Sequence, residues 1–241
     1  MEITRLTDVE ESLFYRDYYG VAPVLLQSFV HNSRACTMWS PEYLESVIGE
    51  KTVQMNHCAR ELEKTAEGAA LATVQYFDVP FRKASELIQS SSDVVYFVMG
   101  QSIRRALPEL LEDLDFNELI LRASPLLSIN LWFAAAGHLT PLHYDAYDNF
   151  LNQIIGRKKV TLFSPSDKEY LFASSESDTD NPAMVNLFEP DHERFPNFRR
   201  ATPIEFILEP GDTLYQPAGW FHQIESLDVT VSVNYFFGET S

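Results

Sequence analysis

The chain has 241 residues, of which 45% are hydrophobic, and a formal net charge of -17; that is apolar content enough for a single domain with its own core. So acidic a surface repels phosphate backbones, and no basic stripe interleaved with aromatics is present, so nucleic acid is not the expected partner. Two cysteines, Cys36 and Cys58, are too few for a disulfide framework, and no apolar run is long enough to cross a bilayer. With no basic, apolar leader at Met1-Glu2-Ile3-Thr4-Arg5, the expectation is a soluble, cytoplasmic protein with no membrane partner, in a reducing compartment.

In chain order, residues 8–19 have helical character, Pro23-Val24-Leu25-Leu26 reads as a strand, and Ser40-Pro41-Glu42 has the cap-then-proline start of a helix with Trp39 beside it in the core. Strands are expected around Val53 and over residues 94–99, and a helix over residues 102–114 that Pro108 bends or restarts. The run from Asn149 to Ile155, the turn Gly156-Arg157 and the returning strand Lys158 to Phe163 read as a hairpin. Residues 174–180, acidic and serine-rich, read as an exposed loop placed to act at a pocket mouth. In the last strand, Val229, Val231, Val233 and Tyr235 alternate with Thr230, Ser232, Asn234 and Phe236. The polar set faces either solvent or the wet interior of a small barrel.

Chemistry concentrates in Thr140-Pro141-Leu142-His143-Tyr144-Asp145 and, far along the chain, in Gln216-Pro217-Ala218-Gly219-Trp220-Phe221-His222. On an extended strand His143 and Asp145 share a face while Tyr144 points away. With His222 they supply two imidazoles and one carboxylate, the set that holds Fe(II) on one side and leaves coordination positions open. On the returning strand Lys158, Val160 and Leu162 share one face and Lys159, Thr161 and Phe163 the other. Lys158 either points inward, where a buried ammonium needs an anionic partner, or emerges into water at the turn as Lys159 does. His31, His57 and His192 are read as surface residues, and His138 as lying at the rim of the site or behind its ligands.

Residues 131–237 resemble the JmjC or cupin-like family of Fe(II)- and 2-oxoglutarate-dependent oxygenases, most closely the small protein-hydroxylase branch that includes the asparaginyl hydroxylase inhibiting the hypoxia-inducible factor. The likeness is carried by the two motifs above together with Asn149-Phe150, Gln153-Ile154, Gly156, Lys158, Asp180-Asn181-Pro182, Arg194-Phe195-Pro196-Asn197-Phe198, Pro210-Gly211-Asp212 and Val233-Asn234. It implies a mainly β fold, a double-stranded β-helix or jelly-roll core over residues 121–241 supported by a mixed α/β segment over residues 1–120, all in one domain. It also implies His143, Asp145 and His222 as iron ligands, Lys158 and Thr140 on the distal carboxylate of 2-oxoglutarate, and Asn149 and Asn234 lining the co-substrate pocket. Tyr96 corresponds either to a tyrosine reaching the same carboxylate or to a core tyrosine on a β-branched strand.

The implied reaction uses Fe(II), 2-oxoglutarate and dioxygen, releases succinate and carbon dioxide, and hydroxylates an amino-acid side chain in a protein or peptide. The alternatives are removal of a methyl group from lysine, hydroxylation of an RNA base, and a non-catalytic metal-binding cupin. The dimer that the asparaginyl hydroxylase builds from helices beyond its barrel is not carried over, because substrate choice and assembly lie in loops and appendages rather than in the fold.

Overall fold

A computed structural model describes residues 2–60, 64, 76–90, 93–114, 118–122, 125–172 and 184–238. The strands among them are β1 (Thr4–Leu6), β2 (Val24–Leu26), β3 (Thr52–Ala59), β4 (Phe77–Pro80), β5 (Val94–Ser102), β6 (Leu126–Ala134), β7 (Leu139–Tyr144), β8 (Asp148–Ile155), β9 (Lys158–Phe163), β10 (Ile204–Leu208), β11 (Thr213–Gln216), β12 (Phe221–Ser226) and β13 (Thr230–Phe237). They form two sheets, nine strands in the order β1-β2-β11-β8-β13-β6-β5-β3-β4 and four in the order β10-β9-β12-β7. This is a jelly-roll sandwich whose larger sheet is extended on both edges by N-terminal strands, β1 and β2 at one and β3, β4 and β5 at the other.

The helices read from the sequence are present but shorter, and Phe81–Gln89 is a further helix outside that reading. Glu11–Asp17 forms the first, and Ser40 caps Pro41–Ile48 by accepting a hydrogen bond from the Tyr43 amide at 3.1 Å. The helix expected over residues 102–114 divides at proline, as Ile103–Ala106 followed by a 3-10 turn over Pro108–Asp113. The acidic stretch over residues 174–180 and the segment Asp180-Asn181-Pro182 lie outside the described residues.

One expectation is corrected. The strands on either side of Gly156-Arg157 do not form a hairpin: β8 pairs with β11 and β13 in the large sheet, and β9 with β10 and β12 in the small one. The turn carries the chain across the sandwich. Gly156 has φ 68°, and a Cβ there would meet the Val229 carbonyl oxygen at 2.2 Å. The Gln153 amide donates to the carbonyls of Ile155 and Gly156, both at 2.7 Å, and accepts from the Ser232 hydroxyl at 2.7 Å. Arg157 closes the corner on Asp228 with three hydrogen bonds, two from its guanidinium at 2.8 and 3.2 Å and one from its backbone amide at 3.1 Å. A two-residue turn with glycine is therefore no proof of pairing when side chains on both flanks bind the corner itself.

The largest core lies on the outer face of the nine-stranded sheet, where Val231, Val233 and Tyr235 of β13 and Ile129, Leu131 and Phe133 of β6 pack beneath helical residues such as Phe14, Leu44 and Phe81. A second cluster fills one end of the space between the sheets, with Leu25, Leu151 and Leu214 meeting Val160, Leu162, Phe206 and Leu208. The other end is lined by polar side chains and holds the candidate site.

The N-terminal helices are tied together by one buried carboxylate. Asp113 accepts from Trp39 Nε1 at 3.0 Å, from the Tyr43 hydroxyl at 2.8 Å and from Arg34 Nε at 2.9 Å. Burial pushes its pKa up, but hydrogen bonds from Trp39, Tyr43 and Arg34 together with the guanidinium charge outweigh it and hold the acid below its ordinary range. A depressed carboxylate pKa contributes stability that is complete above the unfolded-state value and fades as pH falls through the folded one. Asp113→Ala should therefore cost about 2–4 kcal/mol at neutral pH, since the buried Trp39 and the half-buried Tyr43 lose their acceptor. In urea titrations the gap between wild type and variant should narrow once the pH drops below about 4.

Candidate functional site

Strand register builds the site. β12 runs antiparallel to β7 with His222 directly opposite His143 and Phe221 opposite Tyr144. Opposed residues point to the same side of a sheet, so both imidazoles enter the interior, their ring centroids 4.0 Å apart. The outward pair, Tyr144 and Phe221, pack edge to face at 5.1 Å. Asp145 follows β7 and is held by the loop between β11 and β12: the Gly219 amide donates to the Asp145 carbonyl at 2.8 Å, and the Ala218 amide donates to the Asp148 carboxylate at 2.8 Å. The carboxylate then lies between the rings, Oδ1 3.9 Å from His143 Nε2 and Oδ2 3.7 Å from His222 Nε2.

Among the described residues, His143, Asp145 and His222 are the one group of three metal-binding side chains whose ligand atoms converge, all within 4.8 Å of one another. Their chemistry suits a divalent cation. Burial pushes the Asp145 pKa up, while the nearby His143 pulls the other way. Burial, reinforced by His143, drives the His222 pKa well below its ordinary value, so that its ring stays neutral and able to ligate. The Nδ1–H of His143 donates to the Pro141 carbonyl at 2.8 Å, and a carbonyl can only accept, so His143 Nε2 presents its lone pair to the site.

These three side chains open into a cavity of about 360 Å³ whose wall includes Thr140, Asn149, Lys158 and Asn234. Lys158 is 7% exposed. Burial alone draws its pKa down from 10.5 to about 7. No hydrogen bond or ion pair to its ammonium is present among the described residues. Lys159 emerges on the other face and pairs with Glu205 at 2.8 Å. The inward placement of Lys158, one of two left open by sequence parity, is thus the one the structure adopts.

Asn149 and Asn234 share a continuous network. Asn234 Oδ1 accepts from Trp132 Nε1 at 2.8 Å and from Asn130 Nδ2 at 3.2 Å, and Asn234 Nδ2 donates to Asn149 Oδ1 at 3.1 Å. Trp132, Asn130 and Ser128 also line the cavity and were not singled out from the sequence. Their signal was present: on β6 they alternate with Ile129, Leu131 and Phe133, the same pattern that marked Asn234 on β13.

Tyr96 is not in the cavity wall. It is half-buried against the outer core, its ring 5.9 Å from that of His57 across β3 and β5, while Met99 of the same strand reaches the cavity. His57, expected at the surface, is half-buried between the rings of Phe77 and Tyr96. His138 is buried and stacked on Phe97 at 3.8 Å, and it is not part of the cavity wall. His31 and His192 are exposed.

Residues 11–241 match the model of a family described as cupin-like domain. The chain belongs to the cupin-like, JmjC-type family of Fe(II)- and 2-oxoglutarate-dependent oxygenases. It is 33% identical to lysine-specific demethylase 8 of Xenopus tropicalis over 92% of its own length and 50% of that protein's. It is 29% identical to tRNA wybutosine-synthesizing protein 5 of Gallus gallus over 98% of its length and 77% of that protein's. A third relative, JmjC domain-containing protein D of Dictyostelium discoideum, is 42% identical over 106 residues, 44% of the chain and 24% of that protein. The chain thus spans about half the length of the demethylase it matches. No helix among the described residues is long and apolar enough to cross a membrane.

A lone buried ammonium opposes folding until something pairs with it. In metal-free protein without co-substrate, Lys158→Met should raise stability by about 1–4 kcal/mol near neutral pH. The folded-state pKa of Lys158 lies below its unfolded value, so the unfolded chain holds more protons between about 7 and 10.5. Wild-type stability relative to the variant should therefore recover as pH rises through that window. Urea midpoints of the two proteins from neutral to alkaline pH provide the measurement.

Proposed function

We propose that the protein is an oxygenase hydroxylating an amino-acid side chain in a protein or peptide, with His143, Asp145 and His222 as the iron ligands. The observation that carries the oxygenase chemistry onto these residues is the unpartnered Lys158 in the wall of the cavity those three side chains occupy. A buried cation beside a metal triad fits a co-substrate with one carboxylate at the metal and another at the far end. Bound Fe(II) supplies, with 2-oxoglutarate and dioxygen, an oxidant strong enough for an unactivated C–H bond, the co-substrate leaving as succinate and carbon dioxide.

The protein's own groups have separate tasks. Lys158, with the Thr140 hydroxyl in the same wall, pairs with the distal carboxylate and fixes the co-substrate's long axis. Asn149 and Asn234, braced by Trp132 and Asn130, hold the polar wall in one orientation so that nothing reorganises when the co-substrate arrives. Leu151 and Ile224 keep water from the methylene groups between its carboxylates. Tyr96 takes no part in this assignment.

The choice of a protein over a nucleic acid rests on the net charge of -17 and on the name of the demethylase relative, which denotes action on lysine. A second reading, an RNA base, is favoured by the wybutosine-synthesizing relative that matches over 98% of the chain and by aromatic side chains in the cavity wall, Trp132 and Phe236, able to stack on a base.

Two measurements test the proposal. Asp145→Ala should remain folded yet lose Fe(II) and all succinate formation from 2-oxoglutarate. Lys158→Met should keep the metal while weakening 2-oxoglutarate about 100-fold or more, whereas Lys159→Met should stay within about threefold of wild type. Equal effects at the two lysines would remove Lys158 from the co-substrate site. For the substrate, succinate formation is followed with a peptide library, methyl-lysine peptides and transfer RNA in parallel. Gain of one oxygen atom on a peptide is the expected product; formaldehyde release, or turnover with transfer RNA alone, would replace the hydroxylase reading by demethylation or by base modification.

A further inference from the structure

The small sheet has two faces, and the candidate site uses one of them. On β12, His222 and Ile224 reach the cavity between the sheets, while Gln223 and Glu225 point outward. Strand register sets the outward residues in rows: Gln223 lies opposite Thr161 and Thr161 opposite Glu205, while Glu225 lies opposite Lys159. Together with Phe188 these side chains line a second cavity, of about 130 Å³, on the reverse of the sheet that carries the two site histidines.

The floor of this cavity is polar and buried. Gln223 is 7% exposed and Thr161 6%. The Thr161 hydroxyl donates to Glu205 at 3.2 Å, Lys159 pairs with Glu205 at 2.8 Å, and Lys64 pairs with Glu225 at 2.6 Å. The Gln223 carboxamide has no hydrogen-bond partner among the described residues. An amide so enclosed is costly to leave unpaired, so its partner must be a group that enters the cavity.

The surroundings select what that group is. Two carboxylates, the Gln223 carbonyl oxygen and the Thr161 oxygen are acceptors, which disfavours an anion and favours a group with several donors. Phe188, 38% exposed, already carries a cation on its ring, the Lys64 ammonium 4.7 Å from the centroid. A guanidinium offers five N–H donors in one plane and a flat face for the ring, whereas an ammonium offers three donors and no face. The net charge of -17 draws basic partners toward the surface as a whole.

We propose that this outer cavity is a docking site for an arginine side chain presented by a protein or peptide. The guanidinium pairs with Glu225 and Glu205, donates to the Gln223 carbonyl oxygen and stacks on Phe188. Lys64 and Lys159 give way to it; their side chains are 48% and 41% exposed, and half-exposed ion pairs of this kind cost little to exchange for water. The inference does not rest on the reading of His143, Asp145 and His222 as metal ligands, since the cavity lies on the other face of their sheet.

The test uses the full chain without metal or co-substrate and N-acetyl-argininamide as the probe. Nitrogen-15 spectra follow the Gln223 side-chain NH2, assigned by its loss in Gln223→Leu. The arginine probe should shift that signal saturably, and N-acetyl-lysinamide should bind at least about threefold more weakly, having fewer donors and no stacking face. Glu225→Gln and Glu205→Gln should each weaken the arginine probe about tenfold, the effect of one charge-assisted hydrogen bond, so a folding failure in one variant leaves the other to decide. A Gln223 NH2 that does not move at the highest soluble probe concentration would overturn the inference. Equal affinity for the two probes, or unchanged arginine binding in a folded Glu→Gln variant, would do so as well. Tighter binding of free arginine than of the blocked probe would replace a docked side chain by the free amino acid. Because the readout needs neither metal nor turnover, its outcome stands apart from that of the succinate assay.

Discussion

The antiparallel register of β7 against β12, which sets His143 opposite His222, is the constraint on which the site depends. A slip of β12 by one residue would turn His222 to the outer face of the small sheet, bring Phe221 inside and leave His143 without its opposite imidazole. Such a shift is resisted on both sides of the sheet. Tyr144 and Phe221 pack together outside, while β12 is also held by β9, where Phe221 lies opposite Phe163 and His222 opposite Leu162. The two histidines thus sit on paired strands braced from two directions, and Asp145, which lies beyond the end of β7, is fixed by the backbone bond from Gly219.

The space between the sheets is shared between two demands. At one end Leu162, Phe206, Leu208 and Leu214 exclude water and hold the sheets together. At the other the wall carries an ammonium, a carboxylate, two imidazoles and a set of carboxamides, groups that cost free energy to bury. The carboxamides largely satisfy one another through Asn130, Asn149 and Asn234. Lys158 is not satisfied, and burial displaces its pKa to about 7. Stability of the empty protein and affinity for an anion are opposed at this one residue, the usual relation between a strained site and the scaffold that tolerates it. The outer-face core, with Phe14, Phe150 and Tyr215 in mutual ring contact, supplies the stability that permits it.

Much of this was legible from residue order. Strand periodicity in β13 separated Val231, Val233 and Tyr235 from Asn234, and period-two parity put His143 with Asp145 and Lys158 with Val160. The same rule would have found Ser128, Asn130 and Trp132 on β6. What misled was local punctuation. Gly156-Arg157 has the composition of a hairpin turn, yet the bonds that define its path come from Gln153, Ser232 and Asp228, residues whose proximity no local pattern announces. Tyr96, left by the sequence as either a pocket or a core residue, packs against the outer core, on a strand whose register to β6 shifts between Val98 and Gln101.

The sequence by itself determined the chemical class of the site and its principal side chains, because period-two strands and the ligand preferences of metal ions leave few other uses for two imidazoles and a carboxylate in that pattern. The fold class was legible through the resemblance to the cupin-like family, because strand alternation alone fits several β architectures. Only the tertiary structure decided that Lys158 rather than Lys159 is the enclosed cation, and that Asn234 leans on Trp132 and Asn149. Those facts depend on distances between strands far apart in the chain, which are set when the two sheets close on each other and not by the preferences of any single segment.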